Sequence, residues 1–366
     1  MNSISFARGI PAPDLLPVEE LAESAKAALR RAGATALNYG APGGYEPLRD
    51  WIAERHGVDR RRVVVTNGSL QAFNFAARHF AGEGATFLVE APCYDRSLVI
   101  LRRVGAAVEA IHQTEGGLDL DALSTALERT SGTRVVYTIP TFQNPSGRTL
   151  ARESRVRLLE LARDAGALVL EDDPYRLLRF EGETVPTLFE LAGGDAVLFL
   201  TSFSKTVAPG LRVGYLILPE SLVPAIEGFV LESYVSPSIF AQAVLFEFLA
   251  GDLLEPNLER VRAGLRGRRD AMLRALAREL PGEARWNEPE GGYFLWLELP
   301  PGVGAASLLA RAAEAGVTFI PGSDFYVDRG GEEAARLAFS FASPAEIEDG
   351  VARLGRLVRE AAAVAV

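Results

Sequence analysis

Short apolar segments alternate with amphipathic helical segments between about residues 60 and 215. The apolar segments, which we predict to be β-strands, are RRVVVT, ATFLVE, TRVVYTIP, ALVLEDD, AVLFLTSF and RVGYLIL. The segments between them show helical periodicity and are SLQAFNFAARHFA, YDRSLVILRRVG, LDLDALSTALERT and ARESRVRLLELARDAG. This alternation is typical of an α/β protein with a mostly parallel sheet and helices on its faces.

The pattern changes from about residue 240 onward. Long helical segments precede the apolar strand candidate GGYFLWLELP, and a further helical segment, IEDGVARLGRLVREAAA, follows it. The chain has 366 residues, whereas a single core rarely grows past roughly 250 to 300 residues. We therefore predict a second, smaller α/β domain.

The composition argues against several classes of function. A formal net charge of −10 disfavours a nucleic-acid partner, and no apolar stretch reaches the ~18 residues of a membrane span. The first residues, MNSISFARGIPAPD, lack the basic start and apolar core of a secretory signal, so we predict a cytoplasmic location. Cys93 is the only cysteine, and His56, His79 and His112 are scattered, so we predict no disulfide and no metal site.

Lysine is rare in this chain, since only Lys26 and Lys205 occur beside 36 arginines. A Lys amine can lose its proton and attack a carbonyl, whereas a guanidinium stays protonated. Lys26 lies in an amphipathic segment, and a position on its solvent-exposed face is enough to explain this lysine. Lys205 follows a predicted buried strand and has Ser204 and Arg212 nearby. Lys205 is therefore the candidate nucleophile. The alternative is that both lysines occur by chance and have no role in catalysis.

Polar residues follow the predicted strands, and the carboxyl ends of parallel strands share one edge of a sheet. Gly68 and Ser69 follow RRVVVT and precede a helix, where free backbone N–H groups would face an anion such as phosphate. Asn144 follows TRVVYTIP, and Asp172 lies at the end of ALVLEDD with Tyr175 three residues later. A buried carboxylate is costly unless a positive charge meets it. Taken singly, each residue is equally compatible with a turn or a helix cap.

Together, these segments resemble the class I/II aminotransferases of the fold type I pyridoxal-phosphate enzymes over nearly the whole chain. The shared motif consists of Asn144-Pro145-Ser146-Gly147, Asp172-x-x-Tyr175, and Ser202-x-Ser204-Lys205 with Arg212 seven residues later. ISFARGIPAPDLLP, LNYGAPGGYEPLR, EDDPYRLL and SFSKTVAPGLRVGY are most similar to the branch that includes 2-aminoadipate and kynurenine aminotransferases. The resemblance implies a large domain with a mostly parallel sheet flanked by helices, residues 36–255, and a smaller α/β domain formed by residues 1–35 and 256–366.

The resemblance also implies pyridoxal 5'-phosphate as the cofactor, with Lys205, Asp172 and Tyr175 as catalytic residues. Lys205 would bind the cofactor as a Schiff base and transfer a proton during the reaction. Asp172 would pair with the pyridine nitrogen and keep it protonated. Asn144 and Tyr175 would hydrogen-bond the ring oxygen, and Tyr94 would stack on the ring. The phosphate would be bound by Gly68, Ser69, Leu70, Ser202, Ser204 and Arg212.

Other positions depend on the resemblance more than on local chemistry. Tyr39 matches a tyrosine that in this family reaches the cofactor phosphate of the neighbouring subunit, which implies a homodimer. Arg336 matches the arginine that binds the substrate α-carboxylate, and a structural ion pair is its alternative role. Asn144 and Gly9 are also expected beside the substrate. Candidates for the lining of the distal pocket are Gly9, Ile10, Tyr293, Phe325 and Tyr326.

We therefore predict an aminotransferase that moves an amino group between an L-amino acid and a 2-oxo acid by a ping-pong mechanism, with glutamate and 2-oxoglutarate as one pair. β-Lyases and synthases share this fold and these motifs, so they stay an alternative. A cofactor-sensing regulatory domain is a more remote one, because no helix-turn-helix segment precedes the motifs and the chain is acidic. Aromatic, branched-chain and aminoadipate-like substrates are all compatible with the sequence.

Overall fold

The computed structural model describes residues 3–194 and 196–365. The helices are α1 (Val18–Ala36), α2 (Glu46–His56), α3 (Ser69–Gly82), α4 (Asp95–Arg103), α5 (Leu120–Arg129), α6 (Arg152–Asp164), α7 (Leu188–Leu191), α8 (Val223–Tyr234), α9 (Ile239–Ala250), α10 (Leu254–Glu279), α11 (Ala305–Glu314) and α12 (Pro344–Ala365). The strands are β1 (Ile4–Ser5), β2 (Val63–Thr66), β3 (Thr86–Ala91), β4 (Ala107–Thr114), β5 (Gly117–Leu118), β6 (Arg134–Thr138), β7 (Leu168–Asp172), β8 (Val197–Ser202), β9 (Gly214–Ile217), β10 (Arg285–Trp286), β11 (Phe294–Glu298), β12 (Val317–Thr318), β13 (Ile320–Pro321) and β14 (Ala334–Ala338).

A central sheet has the strand order β2-β9-β8-β7-β6-β3-β4-β5. Strands β8, β7, β6, β3 and β4 run parallel to one another, whereas β9 runs antiparallel to both β2 and β8. Strands β6, β7 and β8 of this parallel core are buried almost throughout, because helices flank the sheet, and buried parallel strands are continuous apolar runs. The predicted α/β class and mostly parallel sheet are confirmed.

Strand β4 is absent from the strands that the sequence predicts. Its sequence, AVEAIHQT, contains polar residues, and most of its positions are only half-buried or exposed. Among the described residues, the two-residue strand β5 is the only strand of the sheet beyond β4, so β4 lies close to the sheet edge, where a strand needs no continuous apolar run. A search for continuous apolar runs finds the buried strands but not β4.

A second sheet, antiparallel throughout, has the order β10-β11-β14-β13, and α10 and α12 pack together in the same part of the chain. Strand β1 pairs with β12, so the N-terminal strand joins the C-terminal part of the chain. Helix α1 instead packs on α9, with Ala28 and Ala36 of α1 in one buried cluster with Ala243 and Val244 of α9. The first helix thus contacts the large central part, and the division into residues 36–255 against 1–35 and 256–366 stays a prediction.

The antiparallel direction of β9 decides where Arg212 lies. Gly214 begins β9 and pairs with both Thr66, the last residue of β2, and Ser202, the last residue of β8. The start of β9 therefore lies at the same edge as the carboxyl ends of its neighbours. Arg212, which precedes β9 by two residues, is thereby brought next to the turn that follows β2.

A buried loop follows β6 at this edge. Residues 139–147 have no regular secondary structure, although all of them are buried. Arg155, a fully buried side chain of α6, donates to the carbonyl oxygens of Pro140 at 2.8 Å, Leu150 at 2.9 Å and Pro186 at 3.0 Å. Buried carbonyl groups need such partners, so this guanidinium allows an irregular loop to lie inside the protein.

No helix within the described residues has the length and hydropathy needed to cross a membrane. These same residues contain no group of three or more His, Cys, Asp or Glu side chains placed to bind a metal ion. Cys93 is buried and unpaired.

Candidate active site

A cavity of about 500 Å³ opens at the carboxyl edge of the central sheet, and strands of the small sheet form part of its wall. The predicted site residues that line it are Gly9, Ser69, Leu70, Tyr94, Asn144, Asp172, Tyr175, Ser202, Ser204, Lys205, Arg212 and Arg336. Gly68 precedes Ser69 in the turn at the cavity wall. Tyr39 does not line the cavity of its own chain and is 79% exposed.

Lys205 presents a partly buried amine to this cavity, three residues after the end of β8. Its Nζ donates to the Gly9 carbonyl at 2.5 Å and lies 5.2 Å from the centre of the Tyr293 ring. Burial, together with the like charges of Arg336 and Arg212, lowers the pKa of Lys205 to about 8. A sizeable fraction of the amine is therefore uncharged in mildly alkaline solution, which is the form that attacks an aldehyde.

Asp172 ends β7 and is buried at the cavity wall. Its Oδ2 accepts a hydrogen bond from the Tyr137 hydroxyl at 3.1 Å, whereas Oδ1 has no hydrogen-bond partner within the described residues. Burial raises the pKa of Asp172 to about 7. A buried carboxylate without a cationic partner is costly, so this site is suited to a ligand that brings a positive charge to Oδ1.

The turn before α3 forms an anion cradle, which we define as Gly68, Ser69, Leu70 and Arg212. Gly68 has a φ of 88°, and no side chain of residues 3–194 or 196–365 caps the first N–H groups of α3. The Arg212 Nη2 donates to the Asn67 carbonyl at 3.0 Å, and a Cβ on Gly68 would come within 2.6 Å of that same Nη2. An uncapped helix start beside a guanidinium is suited to a phosphate.

Gly214 and two serines complete the surroundings of this cradle. A Cβ on Gly214 would come within 2.5 Å of the Ser69 backbone nitrogen, so glycine is needed where β9 approaches the turn. The Ser202 Oγ accepts a hydrogen bond from the Ser204 backbone N–H at 3.2 Å, directly before Lys205. Both serines line the cavity, and their hydroxyls are possible donors to an anion.

Arg336 brings another cation to the cavity from β14 of the small sheet and is 7% exposed. Its Nη1 donates to Asn144 Oδ1 at 2.9 Å, and its Nη2 donates to the Ala7 carbonyl at 2.8 Å. Its Nε has no hydrogen-bond partner among the described residues. The guanidinium carbon lies 4.3 Å from the centre of the Phe294 ring. A buried guanidinium with neutral partners and a free N–H is suited to binding a carboxylate.

Tyr94 and Tyr175 provide hydroxyl groups to the same cavity. The ring centre of Tyr175 lies 5.7 Å from those of Tyr293 and Phe294, so aromatic packing fixes its position. Burial, with a contribution from the charge of Asp95, raises the pKa of Tyr94 to about 12. Burial also raises the pKa of Tyr175 well above its usual value. Both hydroxyls therefore stay protonated at neutral pH and can donate hydrogen bonds.

Glu90 positions the buried loop that carries Asn144. This carboxylate lies near the end of β3, where it accepts hydrogen bonds from the Ile139 backbone N–H at 3.0 Å and the Gln143 side-chain amide at 3.4 Å. Gln143 Oε1 in turn accepts from the Ser146 backbone N–H at 2.8 Å. The network thus ties both ends of the turn around Asn144 to the central sheet.

We expect Glu90→Gln to destabilise the protein. The Gln113 amide, 3.3 Å from Oε1, is a third donor to this carboxylate, so the NH₂ group of a glutamine would meet a donor at whichever position it took. A buried polar group left unpaired costs about 1 to 3 kcal/mol. Urea unfolding measures the loss, and Glu115→Gln on an exposed turn is the control. An unchanged free energy of unfolding for Glu90→Gln would contradict the role of the carboxylate.

Several residues of the cavity escape the sequence analysis. Asp95, Arg96, Ile139 and Ile320 line it. Asp95 and Arg96 directly follow Tyr94, and this adjacency is the signal that could have indicated them. Isoleucines of a cavity wall resemble core residues in sequence, so nothing points to the other two.

Of the five residues suggested for the distal pocket, Gly9 and Ile10 line the cavity. Tyr293, Phe325 and Tyr326 do not line it. Tyr293 is fully buried, and its hydroxyl donates to the Lys205 carbonyl at 3.3 Å, so it supports the lysine from behind. Phe325 is also fully buried.

Pyridoxal 5'-phosphate fits the groups that this cavity brings together. Its phosphate requires an anion site, which the cradle supplies, and its aldehyde requires an amine, which Lys205 supplies. Its pyridine nitrogen, when protonated, requires an acceptor, and Asp172 has a buried oxygen without a hydrogen-bond partner in the described part of the chain. A sequence profile described as aminotransferase class I and II matches residues 4–354. The chain belongs to the class I and II aminotransferases. The predicted family, enzyme class and pyridoxal-phosphate cofactor are thereby confirmed.

Known aminotransferases are similar to this chain in sequence and in structure. The 2-aminoadipate transaminase of Thermus thermophilus is 41% identical over 97% of this chain and 90% of its own length. Aromatic-amino-acid aminotransferase 1 of Thermococcus litoralis is 34% identical over 98% of this chain and 88% of its own length. The crystal structure of LysN, an alpha-aminoadipate aminotransferase from Thermus thermophilus complexed with N-(5'-phosphopyridoxyl)-L-leucine, superposes with a TM-score of 0.94 at 40% identity, covering 99% of this chain and 93% of that one.

Proposed function

We propose that this aminotransferase moves an amino group between an L-amino acid and a 2-oxo acid by a ping-pong mechanism, with glutamate and 2-oxoglutarate as one pair. The observation that carries the proposal is the joint presence in one cavity of the Lys205 amine, the Arg336 guanidinium and the Asp172 carboxylate, whose Oδ1 has no hydrogen-bond partner among the described residues. Bound pyridoxal 5'-phosphate supplies an aldehyde that takes up the amino group and a ring that withdraws electrons. The relatives named above support acidic and aromatic amino acids as substrates.

Each residue has a proposed task in this reaction. The Lys205 amine binds the cofactor, is released when the substrate amine takes its place, and then transfers the proton of the substrate α-carbon. Its lowered pKa lets it act as a base once it is free. Asp172 accepts a hydrogen bond from the protonated ring nitrogen. Asn144 and Tyr175 donate to the ring oxygen, and Tyr94 covers the ring face.

The phosphate contacts are proposed for the anion cradle together with Ser202 and Ser204. Gly9 lies beside the reacting amine, since its carbonyl already accepts from Lys205 Nζ. An amino donor panel with 2-oxoglutarate tests the function directly. Formation of glutamate and a 2-oxo acid in equal amounts supports transamination. Release of pyruvate or ammonia without an acceptor would favour a β-lyase instead.

We expect Arg336→Ala to lower kcat/KM for every amino acid substrate, because all of them share the α-carboxylate. Loss of a charge-assisted bidentate contact predicts a fall of about 10²-fold, equivalent to about 2.7 kcal/mol. Amines without a carboxylate should be affected little, and Arg285→Ala, exposed on β10 of the same sheet, is the control. A loss confined to acidic amino acids would contradict this role, as it would place the side-chain carboxylate, not the α-carboxylate, at Arg336.

A homodimer, with Tyr39 reaching the phosphate of the neighbouring site, also belongs to the proposal. Tyr39 is 79% exposed, and so is much of the apolar side chain of Leu37, two residues before it. Three more large apolar side chains are exposed: Leu231 on α8, Val235 directly after α8, and Phe240 on α9. A second copy of the chain that covered them would remove apolar surface from water. A cytoplasmic location stays a prediction.

A further inference from the structure

Arg96 is a cation of the cavity that the proposed roles leave unused. Lys205, Arg212 and Arg336 are the other cationic side chains that line the cavity within residues 3–194 and 196–365. Each of these three has a task toward the cofactor or the α-carboxylate. Arg96 is the second residue of α4, after the N-cap residue Tyr94 and Asp95. It has no task in the proposed reaction.

The Arg96 guanidinium forms an exposed ion pair with its chain neighbour. Its Nε lies 3.4 Å from Asp95 Oδ2, and its side chain is 64% exposed. Ion pairs of this kind contribute little, because water screens them and a long side chain must be ordered to form them. A carboxylate brought into the cavity by a ligand can therefore take the place of Asp95.

The positive charge of Arg96 affects the pKa of Arg336, which lines the same cavity. Burial is the main cause that lowers the pKa of Arg336, and the like charge of Arg96 lowers it further, whereas Asp95 raises it. Both guanidinium groups line this one cavity. A ligand with two carboxylates can therefore place one at each guanidinium.

The remaining lining is suited to the methylene groups between two such carboxylates. Ile10, Ile139 and Ile320 give the cavity aliphatic walls, and burial of each methylene against such walls is favourable. On the basis of the proposed function, we infer that Arg96 binds the distal carboxylate of an acidic amino acid substrate in exchange for Asp95. Arg96 is then the residue that distinguishes acidic from neutral substrates.

Binding of glutarate and of 4-methylpentanoate to the cofactor-loaded enzyme tests this assignment. Both ligands have a carboxylate for Arg336 and a short apolar chain, and only glutarate has a second carboxylate. Calorimetric titration should show that Arg96→Gln raises the Kd of glutarate by about fivefold, the upper end for an exposed ion pair, and leaves that of 4-methylpentanoate unchanged. The ratio of kcat/KM for glutamate to that for leucine should fall by a similar factor.

Two further variants sharpen the result. Arg102→Gln removes an exposed arginine from the same helix and should change neither Kd, because Arg102 does not line the cavity. Asp95→Asn removes the competing carboxylate, so glutarate should bind more tightly than to the unmodified enzyme, and 4-methylpentanoate should not.

Equal glutarate affinity in Arg96→Gln and the unmodified enzyme would overturn the assignment. An equal loss of affinity for both ligands would also overturn it, since Arg96 would then act on the shared carboxylate or on the shape of the site. If the unmodified enzyme transaminates neither glutamate nor leucine, the proposed function fails, and the difference in glutarate binding between the two proteins still reports on Arg96.

Discussion

Lys205→Ala loses the borohydride-reducible link to the cofactor and nearly all turnover. The Nζ of Lys205 is the amine that lines the cavity, and proton transfer by a positioned base alone contributes typically about 10²- to 10⁴-fold to a rate. Removal of the amine also removes the covalent attachment, so we expect a loss of at least that size. Absorbance spectra, turnover with glutamate and mass spectrometry after borohydride treatment measure the three effects.

The scarcity of lysine makes this experiment unusually clear. The chain has one other lysine, Lys26, which is 53% exposed and pairs with Glu23 at 3.4 Å on the surface of α1. Lys26→Ala is therefore a matched control that should keep full activity and a reduced adduct on the peptide that contains Lys205. A reduced adduct on Lys26, or one that survives in Lys205→Ala, would refute the assignment.

Asp172→Asn slows the reaction far more than it weakens cofactor binding. A carboxylate about 4 Å from a protonated ring nitrogen stabilises it by roughly 4 kcal/mol at an effective dielectric constant of about 20, which equals about three pKa units. Asparagine keeps the shape and removes this charge, while the anion cradle and Lys205 still bind the cofactor. We expect kcat to fall by about 10³-fold. A kcat within a few-fold of the unmodified enzyme would assign ring protonation to another residue.

The same substitution should stabilise the cofactor-free protein at neutral and alkaline pH. Burial raises the pKa of Asp172 from 3.8 to about 7, so the folded state retains a proton there that the unfolded state releases. Between these two pH values the free energy of unfolding falls as pH rises, and the penalty is complete above about pH 7. An asparagine at this position has no such penalty, so the stability gain should grow from near zero at about pH 4 to as much as about 4 kcal/mol at about pH 8.

Thermal unfolding of the cofactor-free proteins across this pH range measures the effect. Asp164→Asn, at an exposed carboxylate of α6, is the control and should show no pH-dependent gain. A gain that does not change with pH would mean that the ionisation of Asp172 is not its cause. A lower kcat together with a more stable cofactor-free protein would indicate that the Asp172 carboxylate serves to pair with the positive charge of the bound cofactor, at a cost in stability.

The central strands and the chemistry of the site could be predicted because local sequence encodes them. Continuous apolar runs mark strands that helices cover on both faces, which is why β6, β7 and β8 are predicted and the half-exposed β4 is not. Lys205, Asp172 and Asn144 are predicted because polar residues directly after such runs must lie at the carboxyl edge of the sheet. The direction of β9, which brings Arg212 to the turn at Gly68, is not visible in its sequence.

The amino-acid sequence specifies the reactive groups of this protein, and the succession of its strands along the chain places several of them at one edge of the sheet. The contacts of each group depend on the folded chain. Arg336 meets Asn144 across 192 positions of the chain, Lys205 meets the carbonyl of Gly9 across 196, and Asp172 keeps one oxygen without a partner among the described residues. Arg96 is recognised as a cavity residue only in the folded chain, although its position two residues after Tyr94 is a signal that could have indicated it. Such contacts are long-range, and burial and neighbouring charge, which set the pKa of Lys205 and of Asp172, exist only after the chain has folded.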